Sequence, residues 1–155
     1  MAIRNAAKAI IIENGKVLLN KCIGKCNEIY YDLPGGGQNQ FEEMEDAVKR
    51  ECLEESGYRI EIIRFAALAE EIYDDSELRK QYYDYTHRIH HIFIAKLTDK
   101  SVYKPTETDM HQLECVWVDI NNISSLDLRP KPLKIKLIDI IHSEKPLYLG
   151  TVHVL

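Results

Sequence analysis

The N-terminal part of the sequence lacks a long hydrophobic run. The apolar stretch in MAIRNAAKAIIIENGKVLL is interrupted by Glu13, Asn14 and Gly15, so it is too short for the hydrophobic part of a signal peptide or for a membrane-spanning helix. Cysteine is also scarce, because the chain of 155 residues has only four, too few for a small scaffold held by disulfides. These absences predict a cytoplasmic protein with no membrane partner, whose cysteines are free thiols: Cys22, Cys26, Cys52 and Cys115.

Basic residues are outnumbered by acidic ones. The chain has 20 Lys and Arg against 25 Asp and Glu, a formal net charge of -5. Broad binding to a nucleic-acid polymer needs a basic surface that neutralises many phosphates, so we expect no such partner. A small phosphorylated ligand held through a cation is compatible with this charge. Repeats and linker-like tracts are absent too, and the length suits a single domain over residues 1–155.

Short apolar runs predict a series of β-strands. Residues 9–12 and 17–19 flank Asn14-Gly15, and Asn-Gly is the strongest short-range signal of a β-hairpin. A brief strand at 30–33 stops at a proline, and three consecutive glycines then predict a loop with an unusual backbone path. Further strands are predicted at 59–69, 87–97 and 115–120.

Two helices are predicted, well separated in the sequence. Residues 42–56 contain neither Gly nor Pro, and Gly57 provides a C-terminal stop. A helical stripe of apolar residues is expected to anchor this helix in the core: Phe41, Met44, Val48 and Cys52. The second helix is predicted at 132–142, with a proline near its first turn. Strands surrounding two helices predict a mixed α/β (α+β) fold, in which helices pack on the faces of a mixed sheet.

Three glutamates share one side of the first predicted helix. At about 100° per residue, Glu51, Glu54 and Glu55 fall within an arc of roughly 100°. They lie near the helix C-terminus, where the helix dipole disfavours negative charge, and Glu51 faces like charges three and four residues further on. Each penalty is only a few tenths of a kcal/mol in water. Helix physics alone therefore favours a charged surface face over a metal site.

The spacing of the surrounding residues reverses that preference. From Gly36 the sequence is G-x5-E-x7-R-E-C-x-E-E-S-G-Y, with Glu42 and Arg50 at fixed intervals before the glutamates. It resembles the Nudix box, G-x5-E-x7-R-E-U-x-E-E-x-G-U, where U is a bulky aliphatic residue. All seven positions of fixed identity match, and the two departures, Cys52 and Tyr58, fall on packing positions. At ordinary residue usage, seven independent matches arise by chance on the order of once in a million chains.

The resemblance implies both a fold and an activity. The Nudix fold is a mixed β-sheet sandwiched between α-helices, and family members cleave the pyrophosphate bond of a nucleoside diphosphate linked to another moiety. The resemblance further implies Mg2+ or Mn2+ as cofactor, held by Glu51, Glu54 and Glu55 and by the backbone carbonyl of Gly35. Hard divalent ions prefer oxygen ligands, and they can both bridge phosphate oxygens and activate water.

Other positions of the box have implied roles as well. Arg50 resembles the family arginine that orients a catalytic box glutamate through an ion pair. Gly36 and Gly37 are expected to form a backbone-lined lip that contacts the substrate. Glu42 is expected to stabilise the start of the helix, where negative charge favours the dipole.

The general base is left open by the sequence. Some family members use a box glutamate, which makes Glu54 a catalytic candidate, and others use a glutamate from a loop before a late strand. The segment KPTETDMHQLECVW offers Glu107, Asp109 and Glu114 for the second role. We prefer Glu107, in the loop after the proline, because Glu114 adjoins a strand and fits its polar face.

Secondary markers bear on the substrate. The proline associated with the ADP-ribose class is missing, since no proline occurs between Pro34 and Pro105. Tyr73 lies 15 residues after Tyr58, close to where dinucleoside polyphosphate hydrolases tend to have a tyrosine. Tyr73 is therefore a candidate substrate contact, and a dinucleoside polyphosphate leads slightly over a nucleotide sugar or a (d)NTP.

Two alternative interpretations concern other classes of site and of protein. His87, His90 and His91 could suggest a transition-metal site, but a strand directs neighbouring side chains to opposite faces. A noncatalytic Nudix-like module that senses a nucleotide or sugar is the main competing function. Such modules commonly lose box glutamates, whereas all are present here. The family also suggests a homodimer.

Overall fold

The computed structural model describes residues 3–108 and 110–155. Its helices are α1 (Met44–Ser56), α2 (Ser76–Gln81) and α3 (Lys131–His142). Its strands are β1 (Arg4–Glu13), β2 (Lys16–Ile23), β3 (Ile29–Asp32), β4 (Gly35–Gly37), β5 (Tyr58–Tyr73), β6 (His87–Val102), β7 (Gln112–Asp119) and β8 (Leu147–Val154). Within these two ranges, no helix has the length and apolar character needed to cross a membrane.

Strand β1 connects the parts of a large mixed sheet. It runs parallel to β6 and antiparallel to the short strand β4 along its first part, and it pairs with β2 at its end. Strand β5 pairs antiparallel with β6 and parallel with β8. The strand order is β3-β2-β1-β6-β5-β8, with β4 attached to β1 and β7 attached to β2. This pairing holds the glycine strand against the first half of β1.

The turn between β1 and β2 follows the predicted chemistry. Glu13 pairs with Lys16, so the loop has two residues, Asn14 and Gly15, with φ of 50° and 74°. A type I′ turn requires positive φ at both central positions, which asparagine and glycine tolerate best. The predicted hairpin is confirmed.

Helices α1 and α3 pack on opposite faces of the sheet. Ala7, Ala9 and Ile11 of β1 pack in one cluster with Val48 and Cys52 of α1. Ile10 belongs to a second cluster, which includes three fully buried residues of α3: Leu133, Leu137 and Ile140. Successive residues of a strand point to opposite faces, and each large aliphatic side chain buried in this way contributes about 1.5–3 kcal/mol. The predicted mixed sheet between helices is confirmed.

The end of α1 is set by a glycine. Gly57 has φ of 75°, and its backbone N–H donates to the carbonyl of Leu53. A residue in this left-handed conformation closes the last turn of a helix, and glycine adopts it without steric cost. The predicted helix stop is confirmed, as is the second helix with its proline in the first turn.

The predicted role of Phe41 in the core is wrong. Its side chain is 98% exposed and its φ is 67°. Helix α1 begins at Met44, so the helical spacing that relates positions 44, 48 and 52 does not extend back to Phe41. A turn residue with positive φ directs its side chain independently of the helical stripe.

Three elements differ from the sequence prediction. The triple glycine forms strand β4 instead of a loop, because the backbone of β1 supplies the hydrogen-bonding partner for it. Strand β8 was not predicted, since it is only half-buried and contains Gly150 with φ of 82°. Helix α2 was not predicted either. It is short and without buried residues, and Asp75 caps it by accepting from the backbone N–H groups of Glu77 and Leu78.

Candidate functional site

Strand β4 supplies a surface made of backbone next to α1. Gly35 has φ of 127°, and a Cβ there would lie 2.1 Å from the carbonyl oxygen of Ala7. At Gly36 a Cβ would lie 2.3 Å from Oε2 of Glu51. Any side chain at these two positions would therefore displace either β1 or the glutamate. Glycine allows the carboxylate of Glu51 to rest directly on the strand.

Arg50 is the centre of the acidic cluster. Its Nη1 donates to Oε1 of Glu51 at 2.8 Å and to Oε2 of Glu54 at 2.9 Å. Its Nη2 also donates to the carbonyl of Gly37 at 3.0 Å. One nitrogen thus holds two of the predicted metal ligands together, and the arginine reaches the glycine strand as well. These contacts are charge-assisted and consequently stronger than neutral hydrogen bonds.

Glu42 is the third acidic residue that Arg50 contacts. Nε and Nη2 of the arginine donate to the two carboxylate oxygens of Glu42 at 2.7 and 2.9 Å. This hydrogen bonding lowers the pKa of Glu42 to about 2, with a further contribution from the backbone N–H of Asn39. Glu42 lies two residues before the first residue of α1. Its main contact is the arginine, so the expected role at the helix start is replaced by an ion pair.

Glu55 occupies a different environment from its two neighbours. Its side chain is buried, and Oε2 accepts from Nδ2 of Asn20 at 2.8 Å and from the backbone N–H of Gly35 at 2.9 Å. Burial raises the pKa of Glu55 to about 7, although the ammonium of Lys8 and both hydrogen bonds act in the opposite direction. Its carboxyl group therefore changes protonation near neutral pH.

Lys8 and Asp32 belong to the same site and were missed in the sequence. Lys8 is buried, and its Nζ donates to Oδ2 of Asp32 at 2.8 Å, to the carbonyl of Leu33 at 3.1 Å and to the carbonyl of Gly35 at 2.6 Å. A lysine inside the apolar run AAKAIII was the available signal, because an ammonium in a buried strand must find oxygen partners.

The candidate ligands have the type of donor atom that suits a hard divalent cation. They are carboxylates and a backbone carbonyl, the oxygen donors that Mg2+ and Mn2+ prefer. The carboxylate of Glu51 lies against Gly36, the neighbour of Gly35 in the glycine strand. The carboxylate side chains are paired within the protein. Over residues 3–108 and 110–155, no three His, Cys, Asp or Glu side chains are grouped so as to hold a metal ion. Through Nη1, Arg50 binds one oxygen each of Glu51 and Glu54, and a carboxylate has a second oxygen with which it can bind an ion.

The candidates for a distant general base lie in or beside one loop. The backbone N–H groups of Thr106 and Glu107 donate to the carbonyl of Glu54 at 3.0 and 3.2 Å, so this loop packs on the last turn of α1. The side chain of Glu107 is exposed. Glu114 is exposed as well and pairs with Lys21 at 3.2 Å. Asp109 lies outside the described residues.

Tyr73 is part of a polar cluster on β5 and β6. Its hydroxyl accepts from Nη2 of Arg88 at 2.9 Å, and the guanidinium lies 5.1 Å from the centre of its ring. Burial raises the pKa of Tyr73. Oε1 of the buried Glu71 lies 3.6 Å from Nε of Arg88 and 3.9 Å from Nε2 of His90.

The three histidines have separate surroundings, as predicted for a strand. His90 is buried, and its ring nitrogens have no hydrogen-bond partner among the described residues. His91 lies against Phe65, with 6.4 Å between ring centres. His87 pairs with Glu70 at 2.8 Å. None of the four cysteines forms a disulfide bond.

Comparison with known proteins supports this fold. The family model described as NUDIX domain matches residues 3–138, whereas a comparison with curated proteins gives no match. A NUDIX hydrolase from Nitrosomonas europaea has a TM-score of 0.71 at 22% identity, covering 99% of this chain and 80% of its own. An ADP-ribose pyrophosphatase from Streptococcus suis has a TM-score of 0.65 at 16% identity, and the match covers 95% of this chain and 99% of its own. A UDP-X diphosphatase has a TM-score of 0.64 at 17% identity, and the match covers 95% of this chain and 68% of its own. At these identities the structural likeness concerns the fold.

Three features together define a class of pyrophosphohydrolase: the glycine strand, the helix that carries R-E-x-x-E-E, and the mixed sheet between helices. The chain belongs to the NUDIX domain family. The family, the fold and the assignment to Nudix pyrophosphohydrolases predicted from the box are therefore confirmed. Enzymes of this family act on small nucleotide-type substrates and generally use a divalent metal ion.

Proposed function

We propose that this protein is a Mg2+- or Mn2+-dependent hydrolase of a nucleoside diphosphate linked to another moiety. One observation carries the proposal: Arg50 joins Glu42, Glu51 and Glu54 beside a glycine strand whose Gly35 N–H reaches Glu55. A diphosphate can approach such a group of carboxylates only if cations separate the like charges. A bare backbone next to that group leaves room for phosphate oxygens.

Each box residue has a proposed role. Glu51, Glu54 and Glu55 would hold the metal ion, with the carbonyl of Gly35 as a further ligand, and the bound ion would polarise phosphate oxygens and activate water. Arg50 fixes the orientation of Glu51 and Glu54 through its shared nitrogen. Gly36 and Gly37 would face the phosphates of the substrate.

Proton transfer is assigned to one of two glutamates. Glu107 is the preferred general base, and its position in a loop held by the carbonyl of Glu54 supports this choice. Glu54 is the alternative, because it lies on the same helical turn as the other candidate ligands. A general base must come within hydrogen-bond distance of the attacking water, which a side chain in a packed loop can do by a change of rotamer.

The substrate class is proposed from two considerations. The ADP-ribose pyrophosphatase and the UDP-X diphosphatase among the similar structures are named for nucleoside diphosphates with an attached group. The missing downstream proline disfavours ADP-ribose itself, and Tyr73 favours a dinucleoside polyphosphate over a nucleotide sugar or a (d)NTP. The tyrosine ring is held by Arg88 on one side, which would fix it as a contact for the substrate.

The test is a panel of nucleotide substrates with Mg2+ or Mn2+, read by release of nucleoside monophosphate. We expect metal-dependent turnover that falls at least 100-fold in Glu55→Gln and stays normal in Glu61→Gln. Glu61 is an exposed glutamate paired with Lys96 at 3.2 Å, and it serves as the matched control. A folded protein that binds nucleotides without metal-dependent turnover would refute the enzyme and favour the sensor module.

Three broader proposals accompany this function. Residues 1–155 are proposed to form one domain, which is supported by β8 pairing with β5 beyond the matched family region. A cytoplasmic location agrees with four free thiols, since disulfides are rare in reducing compartments. A homodimer, suggested by the family, is tested by light scattering after size exclusion.

A further inference from the structure

The strongest unassigned feature is the buried ammonium of Lys8. It is 8% exposed, and a lysine has three N–H donors. Three oxygens accept from it: Oδ2 of Asp32 at 2.8 Å and the carbonyls of Leu33 and Gly35 at 3.1 and 2.6 Å. A buried charge is costly unless it is paired and hydrogen-bonded. Residues 32–35, from the end of β3 to the start of β4, therefore form a three-oxygen cation site, and Lys8 fills it.

This cation site overlaps the proposed metal site at a single atom. The carbonyl oxygen of Gly35, an expected metal ligand, is the shortest of the three ammonium contacts. The N–H of the same residue donates to Glu55 at 2.9 Å. An ion on this carbonyl would have to lie close to the positive charge of Lys8, which repels a divalent cation strongly in a buried site.

We propose that Lys8 is a positioning residue that takes the place of a metal ion at the Gly35 carbonyl. The ammonium is a fixed cation of the active site, and it leaves the glutamates of α1 to bind the catalytic ion. This inference rests on the proposed function, because it concerns the metal ligands of that site. It changes the expected ligand set, since Gly35 then contributes its N–H to Glu55 and its carbonyl to Lys8.

The charge of Lys8 also balances the oxygens that surround it. Asp32 is the ion-pair partner, and its Oδ1 accepts from the backbone N–H of Leu33 at 2.7 Å. Removing the ammonium would leave a carboxylate and two carbonyls facing one another with no cation. Such a group of hard oxygen donors binds a metal ion in place of the missing charge.

The experiment measures Mn2+ binding to the intact protein, by calorimetry and by electron paramagnetic resonance of free Mn2+. Lys8→Met is expected to bind one additional Mn2+ per chain, or to bind Mn2+ at least tenfold more tightly than wild type. Lys8→Arg keeps the positive charge and is expected to bind Mn2+ as wild type does. Lys96→Met removes an exposed lysine that pairs with Glu61, and it is expected to change nothing.

The outcomes separate this inference from the proposed function. Unchanged number and affinity of Mn2+ in Lys8→Met would overturn the role of Lys8, and so would an equal gain in Lys8→Arg. Absence of Mn2+ binding by wild type, with a gain in Lys8→Met, would support Lys8 as a fixed cation but count against a metal-dependent hydrolase.

A measurement on wild type covers the case in which Lys8→Met does not fold. Buried lysine ammonium groups exchange slowly enough for their 1H–15N signals to be observed, and Lys8→Arg identifies the signal of Lys8. The signal is expected to persist when Mg2+ is added to saturation. Loss of the signal on Mg2+ binding would show that Lys8 leaves the carbonyl, and would overturn the proposal.

Discussion

Replacement of Glu55 by glutamine should stabilise the metal-free protein at alkaline pH. The carboxyl is 7% exposed, and burial raises its pKa from 4.5 to about 7. That rise corresponds to roughly 3 kcal/mol of unfavourable free energy for the ionised carboxylate in the folded state. Glutamine keeps an oxygen that can accept from Asn20 and from the Gly35 N–H, and it carries no charge.

The pH dependence follows from the direction of the shift. Between pH 4.5 and 7 the folded protein keeps the Glu55 proton that the unfolded chain has released, so the free energy of unfolding falls as pH rises through this window. Above pH 7 the whole penalty is present. Glu55→Gln should therefore be about 1–3 kcal/mol more stable than wild type at pH 8, and nearly equal to it at pH 4.5.

Urea unfolding in the presence of EDTA, followed by circular dichroism, measures this difference. Glu61→Gln is the control, because Glu61 is an exposed glutamate with an exposed partner. Mn2+ should then stabilise wild type and leave Glu55→Gln unchanged, since a ligand stabilises the state that binds it. A glutamine variant less stable than wild type at pH 8, or a difference that does not vary with pH, would refute the reasoning.

Four further substitutions test other contacts. Glu42→Gln should lower the free energy of unfolding at pH 7 by about 1–3 kcal/mol through loss of the charged pair with Arg50. Because the pKa of Glu42 is lowered to about 2, this contribution is present above pH 4.5 and is lost as pH falls toward 2, which urea unfolding across that range checks. Gly35→Ala should cost about 2–4 kcal/mol, measured by thermal unfolding, because its Cβ would contact the backbone of β1. Phe41→Ser, at a side chain 98% exposed, should change stability by less than about 0.5 kcal/mol in the same assay. Glu107→Gln should reduce turnover at least about 100-fold if Glu107 is the base, and near-normal kcat would transfer that role to another glutamate.

The sequence predicted the contacts that depend on short spacing. Arg50 and Glu54 lie four residues apart on one helix, so their ion pair follows from helix geometry once the helix is assigned. The position of Gly57 likewise determined where the helix ends. The family box added what helix geometry could not, namely the hypothesis that these carboxylates form a metal site instead of a solvated face.

Contacts between distant parts of the chain could not be predicted from the sequence. Asn20 reaches Glu55 across 35 residues, and Lys8 reaches Gly35 across 27. The first contact depends on the packing of α1 against the sheet, and the second depends on the pairing of β1 with β4. A change of register by one residue would turn each side chain to the opposite face. The prediction for Phe41 was wrong for a local reason, because its positive φ takes its side chain out of the helical stripe.

The internal pairing of the site has a consequence for metal affinity. Arg50 binds Glu51 and Glu54, while Lys8 binds the carbonyl of Gly35, so cations of the protein already hold most of the expected ligands. Arg50 binds one oxygen of each carboxylate, so we expect a metal ion to bind the other oxygen of Glu51 and Glu54 while Arg50 stays in place. The contacts with Arg50 restrain the two carboxylates, which lowers the entropy that they lose on binding an ion. The affinity for the ion should therefore depend on Arg50, because it holds the two carboxylates close together.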